Sequence, residues 1–483
     1  MSKKFKFRFL VIALFLCLAG GGFLADRYLK RPFALPLSTK YQSWPVKVGL
    51  RIATLRDRVP TVDRIVLVPD AATFLVAIQQ WSLQGRWPIL IEDQKYTPMF
   101  IQRFKPAELI RLPSVKQPLP KGKKLEESII RALATAWNAT DIPSLKNTWL
   151  QLGWEPPGVV ISSVNDPAWP AAVALAADRG QPLVFVEGNF GQPNDTLNFD
   201  QWQRLQRIVN KAADTTGYPY ANLGDSIDTI SLVRQLAVKY QSPKKADEQL
   251  AVTDGLARYT NGNRWAAVGW IYGSEFRSVY QAMCSIFLDF KTAMLYDSYQ
   301  PEGNWEKYEI EAPTKQLNRM DFSVEHIQQP QASLETWRNL VSHEWDFDLI
   351  FINSKGNKDA FFVGGGDASV NDIPKLKSPA AIHLIHSWSA TSPDDRNTVA
   401  GRWLENGVYA YVGSVHEPYL AAFLPPKIIV ERLSASVPFL IATRLLESAP
   451  WKITTIGDPL MILSKPRERI SPNQQPMPKL IDW

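Results

Sequence analysis

Residues 158–188 read GVVISSVNDPAWPAAVALAADRGQPLVFVEG, and the order of features in this stretch decides the predicted fold. An apolar β-branched run comes first, followed by a polar turn with Asp166, an alanine-rich run and a second apolar run led by proline. Residues 64–93, RIVLVPDAATFLVAIQQWSLQGRWPILIED, repeat this order with Asp70 in the turn. Strand, helix and strand in this order form a right-handed parallel βαβ unit. We therefore predict a doubly wound α/β domain over residues 63–262, built from two such units.

The two turn carboxylates follow their strands directly, at the edge where open α/β sheets bind ligands. For both Asp70 and Asp166 we favour helix capping, because short acidic side chains accept hydrogen bonds from the first helical turn. No glycine-rich dinucleotide fingerprint follows either strand. We therefore expect no cofactor.

A second series of apolar runs fills residues 263–465. The runs read WAAVGWIYG, KTAMLYD, FDLIFIN, AAIHLIH, VYAYVG and KITTIGD, in that order. Near-continuous apolar runs of this kind are typical of parallel strands that are buried on both faces. We predict a second α/β domain here. Residues 32–62 are predicted to be a linker, and the proline-rich residues 466–483 an irregular tail.

Residues 9–25, FLVIALFLCLAGGGFLA, are apolar and flanked by basic residues. Their number is at the short limit for a membrane-spanning helix. We predict that residues 1–31 form an uncleaved signal-anchor, with a cleaved signal peptide as the alternative. The membrane would then be one partner, and the body would lie on the exported side, periplasmic or extracellular.

The formal net charge of +7 is concentrated at the start of the chain. Seven basic residues and one acidic residue precede residue 32, so the rest of the chain is close to neutral. This distribution does not support a nucleic-acid partner. The two cysteines, Cys17 and Cys284, leave no disulfide within the body and form no zinc site, and we predict no metal.

Three segments carry a resemblance to a known family. They read DLIFINSKGN, IHSWSATSPDDRNTVAGRWLENGVYAYVGSVHEPYL and WKITTIGDPLMIL, and lie within residues 265–465. They resemble the gingipain-type (C25-like) cysteine peptidases of the caspase-like fold, and most of all uncharacterised bacterial relatives of that family. GSVHEPYL and GDPL are the most specific parts. The resemblance implies a parallel six-stranded sheet with helices on both faces, a histidine base after one strand and a cysteine nucleophile after the next. The two βαβ segments loosely resemble cell-wall-binding type 2 repeats.

The chain departs from this family at both catalytic positions. Lys355 occupies the base position in NSKGN, and Trp388 occupies the nucleophile position in SWSA. A cysteine nucleophile needs a thiolate beside a base, and neither residue supplies one. Cys284 lies in an apolar helical run and is predicted to be buried and inert. The site is therefore predicted to be that of a pseudoenzyme.

A serine could still replace the cysteine. Ser387 or Ser389 would need Lys355 as a base, and such a lysine must be desolvated so that its pKa falls. Adjacent strand residues point to opposite faces, so His386 cannot easily serve Ser387. For the same reason His383 and His386 do not form a metal pair, and His383 is predicted to be a satisfied core histidine. The residues predicted to line the cleft are His386, Trp388, His416, Glu417 and Asp367.

These observations lead to a predicted function with two alternatives. We expect a membrane-anchored bacterial cell-envelope protein that uses a degenerate peptidase cleft as a binding or scaffold site. The first alternative is an active envelope hydrolase that uses Ser387 or Ser389 with Lys355. The second is a module that binds wall polymer or another envelope protein through the repeats.

Overall fold

The computed structural model describes residues 31–245, 247–463 and 467–477. The strands are β1 (Thr61–Val62), β2 (Arg64–Val68), β3 (Ile89–Ile91), β4 (Glu108–Arg111), β5 (Gly158–Ser162), β6 (Leu183–Phe185), β7 (Thr196–Leu197), β8 (Thr229–Val233), β9 (Lys239–Gln241), β10 (Gln249–Ala251), β11 (Ala267–Ile271), β12 (Thr292–Asp297), β13 (Ser323–Ile327), β14 (Leu349–Asn353), β15 (Ala360–Phe362), β16 (Asp367–Ser369), β17 (Ala380–Ile385), β18 (Val408–Ser414), β19 (Ile453–Ile456) and β20 (Arg469–Ile470).

The helices alternate with these strands along most of the chain. They are α1 (Trp44–Arg58), α2 (Ala71–Ile78), α3 (Tyr96–Phe104), α4 (Lys123–Thr135), α5 (Ile142–Leu152), α6 (Trp169–Arg179), α7 (Phe199–Thr216), α8 (Val252–Gly255), α9 (Glu275–Phe287), α10 (Glu311–Arg319), α11 (Leu334–Val341), α12 (Val399–Glu405), α13 (Pro426–Ser434) and α14 (Phe439–Ala442). The protein is thus a mixed α/β structure.

The described residues contain one ten-stranded sheet, in the order β13-β12-β14-β17-β18-β19-β11-β8-β5-β6. Its first five strands are parallel to one another, and we call them block A. The last five are also mutually parallel, and we call them block B. The blocks run in opposite directions because β18 and β19 pair antiparallel, with Tyr411 opposite Ile456. The carboxyl ends of the block A strands therefore meet at one edge of the sheet.

The sheet is covered on both faces, which is why its strands are apolar along their length. All of β14, β17 and β18 is buried. Alternate residues contribute to separate cores, since Phe351 lies in one hydrophobic cluster and Ile350 and Ile352 in the other. Helices α6 and α9 pack together over one face. Trp337 and Trp403, from α11 and α12, fill the other.

The two βαβ units do not share a sheet, contrary to prediction. The first contributes β2 and β3 to a three-stranded parallel sheet completed by β4. The second contributes β5 and β6 to the ten-stranded sheet, where β5 pairs with β8. A Cβ atom at Gly158 would lie 2.0 Å from Thr229 Oγ1, so this close approach of β5 to β8 requires glycine. The ten-stranded sheet also continues across the predicted boundary at residues 262 and 263, where β8 pairs with β11.

The predicted linker and tail contain regular structure in their described parts. Helix α1 lies inside the predicted linker and buries Val48, Ile52 and Leu55, because these residues share one helical face. Strand β20 of the tail pairs in parallel with β1, with Thr61 opposite Arg469. The described part of the tail is therefore packed against the last residues of the predicted linker.

No helix in residues 31–245, 247–463 and 467–477 is long and apolar enough to cross a membrane. The longest described helix, Phe199–Thr216, has 18 residues but carries charged side chains along its length. The predicted spanning segment, residues 9–25, lies outside the described residues. This finding corrects the predicted membrane anchor, together with the membrane contact and the membrane-anchored, exported location that depended on it.

Candidate functional site

Lys355 and Trp388, the two residues that the resemblance assigns to the dyad positions, follow neighbouring strands. Lys355 follows β14 and Trp388 follows β17, and these strands pair so that Asn353 lies opposite Ile385. The Ser354 N–H donates to the Ile385 carbonyl at 2.9 Å, which continues the pairing to the strand ends. Both positions therefore lie at the carboxyl edge of block A.

Lys355 has none of the surroundings that would make it a base. Its side chain is exposed, and its ammonium lies 5.0 Å from the centroid of the Phe362 ring. A serine–lysine pair requires a desolvated lysine, and the Lys355 side chain is in contact with water. Phe362 ends β15, in a hairpin that follows β14.

Trp388 packs against the loop that follows β18. Its indole lies 3.9 Å from the His416 ring, centroid to centroid, at an angle of 40°. The Trp388 N–H donates to the His416 carbonyl at 3.2 Å, and the Ala390 N–H donates to the Ser414 carbonyl at 2.8 Å. The φ angle of Trp388 is +62°, a conformation in which bulky residues are strained. The contacts with His416 hold this strained residue in place.

His386 is buried and engaged by the backbone. Its Nε2–H donates to the Ala360 carbonyl at 3.0 Å, and only 1% of its surface is exposed. Burial lowers the pKa of His386 to about 4, so its ring is neutral at pH 7. Its Nδ1 has no hydrogen-bond partner in the described residues. His386 therefore does not serve either serine as a base.

The two candidate serines are not equivalent. Ser389 is fully buried, and its Oγ accepts the Ser414 N–H at 3.2 Å. Ser387 is half-buried, and its hydroxyl forms no hydrogen bond with another described side chain. Neither hydroxyl is paired with Lys355 or with a histidine. The arrangement required for a serine nucleophile is absent from the part of the chain that the structure describes.

The remaining predicted cleft residues lie around this edge. Asp367 is exposed and begins β16, and Glu417 is exposed beside His416. Burial, followed by the nearby charge of Lys452, lowers the pKa of His416. His383 lies on the opposite face from His386, between the Phe351 and Phe423 rings, as the strand alternation predicts. It is a core residue, but neither of its ring nitrogens has a hydrogen-bond partner in the part of the chain that the structure describes, so the prediction that its hydrogen bonds are satisfied is wrong.

A cavity of about 390 Å³ opens at the carboxyl ends of β12 and β13, and sequence reasoning missed it. Asp297, Glu309 and Glu311 line it, and Lys315 is its basic lining residue. Asp297 is buried, and burial raises its pKa to about 6. The sequence contained one indication of this cavity, because Asp297 lies at the end of an apolar run, the same kind of position that drew attention to Asp70.

Aromatic side chains border this acidic cavity. Tyr299 stacks on Trp305 with 3.6 Å between ring centroids, and the Phe362 ring lies 5.7 Å from Tyr299. All three rings are half-buried, and the Tyr299 hydroxyl has no hydrogen-bond partner. Half-buried aromatic residues beside charged groups are typical of binding surfaces.

One further lysine was missed. Lys239 is buried and donates to the Thr391 hydroxyl at 3.2 Å and to the Asn194 carbonyl at 3.3 Å. Burial lowers its pKa to about 8. Its ammonium donates to oxygen acceptors on both segments, so it links the loop after β17 to β9, a strand of the three-stranded sheet β10-β9-β7. Among the described residues, no three His, Cys, Asp or Glu side chains are grouped to hold a metal ion.

Comparison with known proteins identifies no relative: no family model, no curated protein and no solved structure matches this chain.

Proposed function

We propose that this protein is a non-catalytic binding protein that uses the carboxyl edge of block A, a degenerate C25-like peptidase site, to hold a polypeptide ligand. The observation that carries the proposal is the packing of Trp388 on His416 at the position of the nucleophile. An indole in this contact supplies neither a nucleophile nor a general base.

The strand order supports the proposed ancestry. Strands β13, β12, β14, β17, β18 and β19 are neighbours in the sheet, and helices cover both faces. The family resemblance implies a parallel six-stranded sheet, with the two dyad positions following neighbouring strands. Lys355 and Trp388 follow β14 and β17, which are such neighbours. One of the six strands, β19, is antiparallel to the others.

The side chains at this edge favour a ligand with a cationic group. The acidic cavity contains three carboxyl groups and one lysine. Lys315 is paired with Glu311 at 2.6 Å, and among the described residues Asp297 and Glu309 have no ionic partner. The rings of Tyr299 and Trp305 would pack against the apolar stem of a lysine or arginine side chain. A basic residue of the ligand would therefore occupy this cavity.

Two measurements on the purified protein test the proposal. Fluorophosphonate and epoxide probes should label no serine between pH 5 and pH 9. Labelling of Ser387 or Ser389 that Lys355→Ala abolishes would overturn the non-catalytic assignment in favour of the hydrolase.

The second measurement is binding to an immobilised peptide array that contains arginine and lysine at each position. Basic peptides should bind, and Asp297→Asn should weaken their binding by about tenfold, because the buried carboxylate attracts the cation directly. Asp57→Asn, a change at an exposed carboxylate on α1, is the matched control. Equal binding by Asp297→Asn and the control would contradict the proposed ligand.

A further inference from the structure

A second cavity lies at the opposite edge of block A, where its strands begin. Its volume is about 330 Å³. It is bordered by the end of α3, the segment between α9 and β12, the residues that precede β14 and β17, and the segment that contains Arg467 and Arg469. Segments far apart in the chain therefore meet here, and none of them contributes to the site described above.

Two buried side chains in this cavity carry hydrogen-bond donors that have no acceptor. Arg467 is 5% exposed, and its Nη2 donates to both carboxylate oxygens of Asp178, at 3.0 and 2.9 Å. Its Nε and Nη1 have no partner in the described residues. Thr61 is 2% exposed, and its hydroxyl is also without a partner. Buried donors without acceptors cost free energy, so these groups favour a ligand that supplies oxygen acceptors.

The cations around the cavity exceed the carboxylates that neutralise them. Two salt bridges join residues of the lining, Arg103 with Asp348 at 2.5 Å and Lys377 with Asp346 at 3.6 Å. Two further lining residues pair outside it, Asp289 with Arg56 at 2.9 Å and Arg469 with Asp63. The ammonium groups of Lys105 and Lys291 have no ionic partner in the described part of the chain. They are exposed at the mouth of the cavity.

The buried charged residues behind the cavity do not offset this surplus of positive charge. Asp178 is fully buried and pairs with three guanidinium groups, those of Arg86, Arg179 and Arg467. Arg179 also pairs with Asp458, so two carboxylates face three arginines. A buried cation without a full counter-charge is unfavourable, and a bound anion would supply that charge.

We propose that this cavity binds the phosphate group of a phosphate monoester. Such a group carries a charge of roughly −1.5 to −2 and three strong acceptor oxygens. Those oxygens match the free Nε and Nη1 edge of Arg467, the Thr61 hydroxyl and the two lysines at the mouth. An arginine fork together with lysine ammonium groups is a common phosphate-binding set in proteins. A carboxylate ligand would bring a single charge and leave part of the surplus unmatched.

The test uses the full chain and inorganic phosphate as the probe. Phosphate binding is measured by titration calorimetry and by thermal unfolding, with ionic strength held constant by sodium chloride so that screening is unchanged. The wild type should bind phosphate at one saturable site and unfold at a higher temperature in its presence. Acetate at the same ionic strength should not reproduce this effect. Absence of saturable phosphate binding, or equal stabilisation by acetate, would overturn the proposal.

Variants of the two mouth lysines test the location. The double variant Lys105→Asn/Lys291→Gln should lower phosphate affinity by about tenfold or more, because each lost ammonium removes a charge-assisted contact. Asparagine is chosen because Lys105 has φ of +52°, which asparagine tolerates. Lys427→Ala, at an exposed lysine on α13, is the control and should leave the affinity unchanged. Unchanged affinity in the double variant would place the phosphate elsewhere and refute the assignment.

Discussion

The Trp388 indole lies against the His416 imidazole with 3.9 Å between ring centroids, and the backbone N–H of Trp388 donates to the His416 carbonyl. The two residues follow different strands, β17 and β18, and their contact holds the two loops together. Trp388 is thus part of the packing of the sheet edge. The contribution of this packing to stability can be measured in unfolding experiments.

Substitutions at Trp388 should separate ring packing from backbone strain. Trp388→Ala should lower the free energy of unfolding by about 1–2 kcal/mol through loss of the stacking contact and its buried surface. Trp388→Gly should cost about 1 kcal/mol less than alanine, because glycine adopts φ of +62° without strain. Urea unfolding of both variants checks this order. A glycine variant less stable than the alanine variant would show that the φ angle imposes no strain.

The buried histidine of β17 should make the protein sensitive to acid. Burial lowers the pKa of His383 to about 3, below its ordinary value of 6.5. Below pH 6.5 the His383 ring binds a proton in the unfolded chain but stays neutral in the folded chain. The free energy of unfolding therefore falls as the pH falls. At pH 5 this linkage amounts to about 2 kcal/mol from His383 alone.

His383→Leu should remove this part of the acid sensitivity, because both ring nitrogens lack partners and leucine suits the site between two phenylalanine rings. The measurement is the free energy of unfolding at pH 7.5 and pH 5. His343→Gln, at an exposed histidine, is the control. The idea fails if His383→Leu loses as much stability between these pH values as the wild type does.

A buried carboxylate near the start of β8 should destabilise the protein at neutral pH. Burial raises the pKa of Asp228 from 3.8 to about 7, although Arg51 Nη1 lies 3.9 Å from its Oδ2. Among the described residues this Oδ2 has no hydrogen-bond partner. The folded state therefore holds a proton that the unfolded state releases between pH 4 and pH 7. Stability falls as pH rises through that range and stays low above it.

Asp228→Asn should accordingly raise the free energy of unfolding at pH 8 by about 2–4 kcal/mol, and by much less at pH 4. Asparagine keeps the acceptor that receives the Gly224 N–H at 2.6 Å. Thermal and urea unfolding at the two pH values provide the measurement. Asp57→Asn, at an exposed carboxylate on α1, is the control. An equal gain at pH 4 and pH 8 would exclude ionisation as the cause.

Binding of a basic peptide at the acidic cavity should depend on pH through Asp297. Its pKa of about 6 means that the carboxyl group is neutral at pH 5 and ionised at pH 7.5. Affinity for the cationic side chain should therefore rise from pH 5 to pH 7.5, by up to about tenfold. In Asp297→Asn this pH dependence should disappear. Fluorescence anisotropy with a labelled arginine peptide checks both statements, and a persistent pH dependence in the variant would assign it to another group.

Several features of this protein follow from the sequence. The buried strands of the ten-stranded sheet were predictable because continuous apolar runs suit strands that are covered on both faces. The capping role of Asp70 was also predictable, since its side chain accepts the Thr73 N–H at 2.8 Å. The resemblance that assigns Lys355 and Trp388 to the dyad positions also rests on the sequence, and it stays a prediction.

The partners of these elements were decided only by the tertiary structure. From the sequence repeat we predicted that β2 and β5 share one sheet. In the structure β5 pairs with β8 instead, and the two strands approach closely at Gly158. Periodicity reports which face of an element is apolar, and it carries no information about which neighbour covers that face. The antiparallel pairing of β18 with β19, which reverses the strand direction between blocks A and B, likewise depends on which strands become neighbours.

The same limit applies to the sites. Trp388 contacts His416, and Arg467 and Thr61 line one cavity although they are far apart in the chain, because packing brings their elements together. The pKa values of Asp297 and His386 are shifted by burial, a property of the surroundings that residue type does not contain. The chemical character of each residue can therefore be predicted from the sequence. Desolvation, and contacts between side chains that are distant in the chain, arise only when the chain packs.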